Sequence, residues 1–256
     1  MKTLLHVAII LLCTALGFIE SVAAGFTDET LHYVVTYKWG LIHKEAGDAT
    51  LSLREAGNDY RLMLTARSRP WADRIFMVRD TLTSTVGTTD LRPHRYTRIA
   101  HEGGKYSRDD ITFSYSGSAV SGHAVRHRIN KKGEKSQSEI SLKATGPTFD
   151  MLSVFYFLRT LDYSSLAKGN SVKANIFSGK LTETLTIRCI SKETIERRDK
   201  EKTRVEAWHI RFRFTSGGGK KSSDDIDAWI SADGRHIPLR IFGNLPLGQI
   251  RVYLKP

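Results

Sequence analysis

Apolar and polar residues alternate along most of this chain. Ala49, Leu51 and Leu53 are separated by Thr50 and Ser52, and Tyr60, Leu62 and Leu64 by Arg61 and Met63. Trp208, Ile210, Phe212 and Phe214 face one way while His209, Arg211 and Arg213 face the other. Ile237, Leu239 and Ile241 repeat the pattern, as do Ile250, Val252 and Leu254. A strand turns successive side chains to opposite faces, so each run buries one side and wets the other. Parallel sheets, covered on both faces, read instead as continuous apolar stretches. The sheet predicted here is antiparallel. Turn signals such as Gly57-Asn58-Asp59, Gly103-Gly104, Lys131-Lys132-Gly133, Gly217-Gly218-Gly219 and Asp233-Gly234 punctuate the runs. The spacing gives about a dozen strands, each roughly 5–10 residues long. A meander of that length must close or cover its edges. The predicted class is all-β with one inserted helix, built as an antiparallel β-barrel, half-barrel or roll.

The helix is predicted over Met151–Leu161, after Gly146-Pro147. Leu152, Phe155, Leu158 and Leu161 share one face, and Thr148 or Asp150 is placed to cap it. Val154 and Phe157 widen the apolar surface, which points to a helix lodged against or inside the concave side of the sheet. A buried strand is the alternative for this segment. A domain boundary, if there is one, falls near residues 143–147; otherwise residues 25–256 read as a single β-rich envelope domain.

Residues 1–24 follow the plan of a secretory signal peptide. Lys2 is a basic start, Leu4 to Leu12 is an apolar run broken by His6, and Val22-Ala23-Ala24 offers small residues before Gly25. The run is shorter than the roughly 20 residues that span a bilayer, and no later segment approaches that length. Leu12 before Cys13 suits a lipoprotein signal poorly. The expectation is an exported protein with no transmembrane span after signal removal. Cys189 is then the one remaining thiol, so the core must be stable without a disulfide.

Several stretches resemble a bacterial exported family known as domain of unknown function 3108. They are Leu31–Gly40 (LHYVVTYKWG), Glu45–Leu53 (EAGDATLSL), Phe76–Asp80 (FMVRD), Asp150–Arg159 (DMLSVFYFLR) and Pro238–Ile241 (PLRI). The resemblance implies a β-rich envelope protein of Gram-negative type, and with it a periplasmic place for the exported chain. It supplies no activity, so no catalytic residue is carried over.

Motifs that carry chemistry elsewhere read blandly here. His123 and His127 would share a face on a helix, but on a strand they stand about 13 Å apart, too far for one metal ion. Ser165 and Lys168 have the spacing of penicillin-binding enzymes without the partner motifs, and read as a helix exit. The Gly217–Ser222 stretch has the wrong spacing for a phosphate loop. Asp224, Asp225 and Asp227 read as a solvated strand start, and Cys189 as a small hydrophobe in a strand. Glu45, Asp80, Asp109, Asp110 and Glu183 are acids that a glycan hydrolase could use only if the fold brought two of them together. No cofactor is expected.

Charge is the feature that changes the picture. The 256 residues carry a formal net charge of +12. Arg126, Arg128, Lys131 and Lys132 form one basic region, and Arg197, Arg198, Lys202 and Arg204 another. Export takes nucleic acid out of reach, leaving anionic lipid, glycolipid or polysaccharide as partners. The function expected is therefore non-enzymatic binding of an amphiphilic or anionic envelope component. The alternatives are a structural or assembly factor that contacts envelope proteins, and a glycan hydrolase.

Overall fold

The computed structural model describes residues 25–216, 220–221, 224–244 and 248–256. The leader at 1–24, the Gly217-Gly218-Gly219 turn and Ser222 lie outside the described residues. The chain opens with β1 (Glu29–Trp39), β2 (Ile42–Ala56) and β3 (Asp59–Ser68), then helix α1 (Pro70–Phe76) and β4 (Val78–Gly87). β5 (Pro93–Glu102), β6 (Lys105–Ser116), β7 (Ala119–Ile129) and β8 (Lys135–Thr145) extend the meander. Short β9 (Thr148–Asp150) leads into helices α2 (Ser153–Arg159) and α3 (Tyr163–Leu166). β10 (Ser171–Phe177), β11 (Thr182–Glu196), β12 (Arg204–Ser216) and β13 (Lys220–Lys221) follow. The last strands are β14 (Ile226–Ser231), β15 (Pro238–Asn244) and β16 (Gln249–Leu254).

All sixteen strands among the described residues belong to one sheet. Its order runs from β8 down to β1, crosses to β16, and continues through β15, β14, β12, β11 and β10 to β9, with β13 on β12. The first and last strands thus pair in the middle, from Tyr33 opposite Leu254 to Lys38 opposite Gln249. Every pairing is antiparallel except β9 on β10. The ribbon curls into a nearly closed barrel. At the seam the free edge of β8 is met by side chains: Asn175 Nδ2 donates to the Thr145 carbonyl at 2.9 Å, and Thr182 Oγ1 to that of Lys143 at 3.2 Å. Satisfying edge carbonyls this way leaves fewer groups open to another chain.

The alternation read from the sequence sets the inner face. Leu51, Leu53, Tyr60, Leu62, Ile111, Phe113, Leu185, Ile187, Ile210 and Phe212 all enter one core. Gly122 is small for a reason. A Cβ there would stand 2.7 Å from the Phe177 ring, so β7 can pass close under β10 only without one.

The inserted helix is shorter than predicted and split in two. The buried Asp150 carboxylate accepts the backbone N–H groups of Leu152 at 2.7 Å and Ser153 at 2.8 Å, so helical turns begin only at Ser153. Thr160 Oγ1 donates to the Phe157 carbonyl at 2.8 Å, and Asp162 caps α3 by accepting from the Ser165 N–H at 3.1 Å. α2 lies inside the barrel, with Leu152, Tyr156, Phe157 and Leu158 buried and Phe149 stacked on Phe157 at 4.4 Å. Phe155, expected on the buried face, is half-buried. Arg159 anchors the plug. Its guanidinium pairs with Glu29 of β1 and donates from Nε to the Arg235 carbonyl at 3.1 Å.

β11 and β12 behave differently at their far ends. Their register shifts between Cys189 and Ser191, turning Ile190 outward. Beyond the shift a second small core forms from Ile195, Ala207 and Leu239. The hairpin tip lies on the outer wall there: Arg197 Nη2 donates to the Lys255 carbonyl at 3.3 Å.

The plug predicts an unequal pair of variants. Phe157→Ala should lower stability by about 3–5 kcal/mol, and Phe155→Ala by clearly less. Urea unfolding followed by tryptophan fluorescence measures both; equal losses would contradict this packing.

Candidate ligand-binding site

One end of the barrel carries the β1–β2, β5–β6 and β7–β8 turns, and α1 sits there. Pro70 suits the first helical position, where a missing N–H costs nothing. Ser68 Oγ accepts the Val78 N–H at 2.8 Å and also bonds the Asp73 carboxylate. Arg79 grips that carboxylate with Nη2 at 2.7 Å and Nη1 at 3.0 Å. These contacts, Arg79 first and Ser68 second, hold Asp73 down to about 2. Trp71 Nε1 donates to the Glu45 carbonyl at 2.7 Å, and the Lys44 ammonium stands 4.7 Å from its ring centre. α1 is thereby bracketed over β2 and β3 rather than packed into the core.

Beneath it is a cavity of about 360 Å³. Val35, Tyr37, Ala66, Trp71, Ala72 and Ile250 form much of its wall, which is apolar apart from Asp48, Arg67, Ser68 and the Tyr37 phenol. That is within the size range of small-molecule pockets. Ile75 and Phe76, which line the cavity, are each more than half exposed, as are Trp39 and Leu41 around the β1–β2 turn at the same barrel end. Phe76 rests on Gly103, where a Cβ would lie 2.5 Å from its ring. Arg67 of the cavity lining is exposed, and so are Lys38, Lys44 and Arg74 at the same end of the barrel. Exposed apolar patches of this kind are candidates for interaction.

The basic residues predicted from sequence separate into four places. Arg126 and Arg128 lie on the inner face of β7 and converge on buried Asp109, at 2.8 and 2.6 Å. Lys131 and Lys132 are exposed on the β7–β8 turn, with Lys131 against Gly104 beside the Phe76 contact. Arg197, Arg198 and Lys202 meet at the β11–β12 tip, where they share a groove of about 490 Å³ with Arg240 and Arg251 of the barrel wall. Arg204 is exposed at the start of β12. Sequence reading missed α1 and the wall arginines. Pro70 followed by Trp71, Ala72, Ile75 and Phe76 at helical spacing was a usable signal for α1. Nothing local in the sequence links Arg240 and Arg251 to a hairpin some forty residues or more away.

Acidic residues are mostly matched to arginines. Asp110 pairs with Arg108 at 2.7 Å, and Glu45 with Arg69 and with Arg198. Asp80 and Glu102 both reach Arg98, at 3.0 and 2.7 Å. Burial first, and the Glu102 carboxylate second, push Asp80 up to about 6. Neither acid lines a cavity described here. A wider cleft of about 840 Å³ at the opposite end includes Asp90 and Asp162, but Asp90 pairs with Arg92 at 3.2 Å and Asp162 caps α3. Ser165 Oγ donates to Asp162 at 2.5 Å, and Lys168 lies beyond the helix end. Burial raises the Cys189 thiol, which disfavours the thiolate. Among the described residues no group of three or more His, Cys, Asp or Glu is placed to hold a metal ion. His123 and His127 lie along β7, where His123 faces Glu139 at 3.6 Å. No described helix is long and apolar enough to cross a membrane.

These elements define a nearly closed, antiparallel, barrel-like protein with a helical plug and an open apolar mouth. The chain belongs to the family described as Protein of unknown function (DUF3108), which matches residues 32–255. It is also similar to the crystal structure of a beta-barrel-like protein of domain of unknown function DUF1849 from Brucella abortus. That match has a TM-score of 0.59 at 10% identity and covers 90% of this chain and 96% of that one. At such identity the likeness is one of fold. None of the curated proteins matches the chain.

Asp80 has a pH signature. Because its folded-state pKa lies above the ordinary aspartate value, the native state holds its proton longer than the unfolded chain does. Its contribution is favourable at low pH relative to neutral pH, and falls as pH rises from about 4 through about 6. Asp80→Asn should therefore gain melting temperature relative to wild type between pH 5 and pH 7. Parallel melting curves for the two proteins across that window would contradict the assignment.

Proposed function

We propose that the protein binds an amphiphilic envelope component without chemical turnover, taking its hydrocarbon tail into the mouth beside α1. The observation that carries this reading is the coincidence of an apolar cavity with an exposed apolar rim at one barrel end. Each buried methylene would contribute about 0.8 kcal/mol, so a tail segment of about six would bring about 5 kcal/mol. Exposed Lys38, Lys44, Arg74 and Lys131 at this end suit an anionic headgroup or an anionic lipid surface. The signal-like composition of residues 1–24 supports a place outside the inner membrane, in the periplasm. An envelope assembly factor could use the same apolar rim for protein contacts, and tail binding separates the two readings.

Trp71 lines the cavity and reports on it. In a Trp39→Phe background, a lysophospholipid with a brominated chain should quench tryptophan emission, and Trp71→Phe should remove most of that quenching. Ala66→Phe fills the cavity and should weaken binding at least tenfold with little change in melting temperature. Quenching that survives both substitutions would sink the tail-binding reading.

A further inference from the structure

The groove between the β11–β12 tip and the outer wall of β15 and β16 has a chemistry of its own. Five cations from three stretches of chain surround it: Arg197, Arg198 and Lys202 from the tip, Arg240 from β15 and Arg251 from β16. Two acids, Glu196 and Asp199, also line it. Asp199 is engaged within the tip, accepting the Thr203 N–H at 2.8 Å.

The partners of the arginines orient them without cancelling their charge. Arg197 donates to the Lys255 carbonyl at 3.3 Å, Arg240 to the Glu196 carbonyl, and Arg251 Nε to the Gln249 side-chain oxygen at 2.6 Å. All three acceptors are neutral. Arg198 has a carboxylate partner in Glu45 at 3.3 Å, but Glu45 is shared with Arg69 at 2.6 Å. Burial pulls the Arg240 guanidinium below the usual arginine range, as expected for a cation held partly out of water. Two aromatic faces steady the forks: Arg251 lies 4.8 Å from the Phe242 ring centre and Arg198 4.9 Å from that of Tyr253. A planar guanidinium fixed in this way loses little freedom on gripping an anion.

We propose that this groove is a binding site for a phosphate monoester. The excess of cations over acids matches a dianion better than a single carboxylate. Guanidinium forks also match tetrahedral phosphate oxygens in paired, charge-assisted hydrogen bonds. A groove of about 490 Å³ has room for the phosphate and the group that carries it. The site lies on the outer wall, apart from the tail cavity, and does not depend on the tail-binding reading.

Two probes separate the sources of such a phosphate. Glycerol 3-phosphate tests a soluble ligand by calorimetry. Vesicles of phosphatidylcholine with and without phosphatidic acid test a lipid-borne one by flotation. Binding of either phosphate probe should weaken at least tenfold in Arg251→Gln/Lys202→Gln and as salt rises from 50 to 500 mM. Arg251→Lys, which keeps the charge but loses the fork, should fall between wild type and the double variant. Lys168→Gln, a charge change elsewhere on the surface, should leave binding intact, and so should Ala66→Phe for the soluble probe. Loss confined to the phosphatidic acid vesicles assigns the site to lipid phosphate; loss with both probes assigns it to the phosphate group itself. No binding of either probe, or binding unchanged in a double variant whose circular dichroism melt matches wild type, would overturn the proposal.

Discussion

The controlling constraint is the space a wide sheet encloses. A barrel of about eight strands can fill its interior with its own side chains, and wider ones cannot. Here fifteen strands follow one path around the wall. The chain supplies the missing volume by turning inward after β8 and placing α2 in the concavity. Arg159 then fixes that plug to Glu29 of β1, 130 residues earlier in the chain. Removing one member of so buried a pair would strand the other charge, which makes the pair a determinant of where the plug sits. The plug leaves an apolar cavity at the other end, beneath α1, while Phe157, Leu161 and Leu166 bound the wider cleft at its own end.

Closure also explains the central pairing of β1 with β16. With the termini zipped together in mid-ribbon, the free edges belong to β8 and β9, both next to the turn that launches the plug. Asn175 and Thr182 join the seam with side-chain hydrogen bonds, and Gly122 lets the walls approach. Plug, seam and closure are thus one local solution rather than three separate features.

The sequence made the wall legible and the placement of charge much less so. Alternation such as Trp208, Ile210 and Phe212 announces a strand and its buried face, because period two is a property of the backbone. Arg126 and Arg128 obey the same parity as Ala124 and so turn inward, but their role needs Asp109 on the neighbouring strand. A cluster counted along the chain therefore mixed inner and outer faces. The shift after Cys189 was not readable, since a bulge adds a residue without altering composition. Arg240 and Arg251 joined the tip arginines only once the hairpin had folded over the wall. The helix was read at the right place but too long: the Asp150 carboxylate takes the first free N–H groups itself and delays the first turn.

The two candidate sites are physically separate but share a network. Arg198 pairs with Glu45, Glu45 with Arg69, Arg69 with Asp48, and Asp48 with Lys255, whose carbonyl accepts from Arg197. The ring joins the hairpin tip, β2, the start of α1 and the C-terminal residues. Each pair is roughly one-third or more exposed, so individually they contribute little to stability. Their effect is on geometry. Asp48 lines the cavity beneath α1 while Arg197 and Arg198 line the basic groove, so an anion that drew Arg198 from Glu45 would alter the charge next to Arg69 at the head of α1. Weak, partly hydrated pairs suit such a link better than a dry one, because exchanging one oxygen partner for another there carries a small desolvation cost.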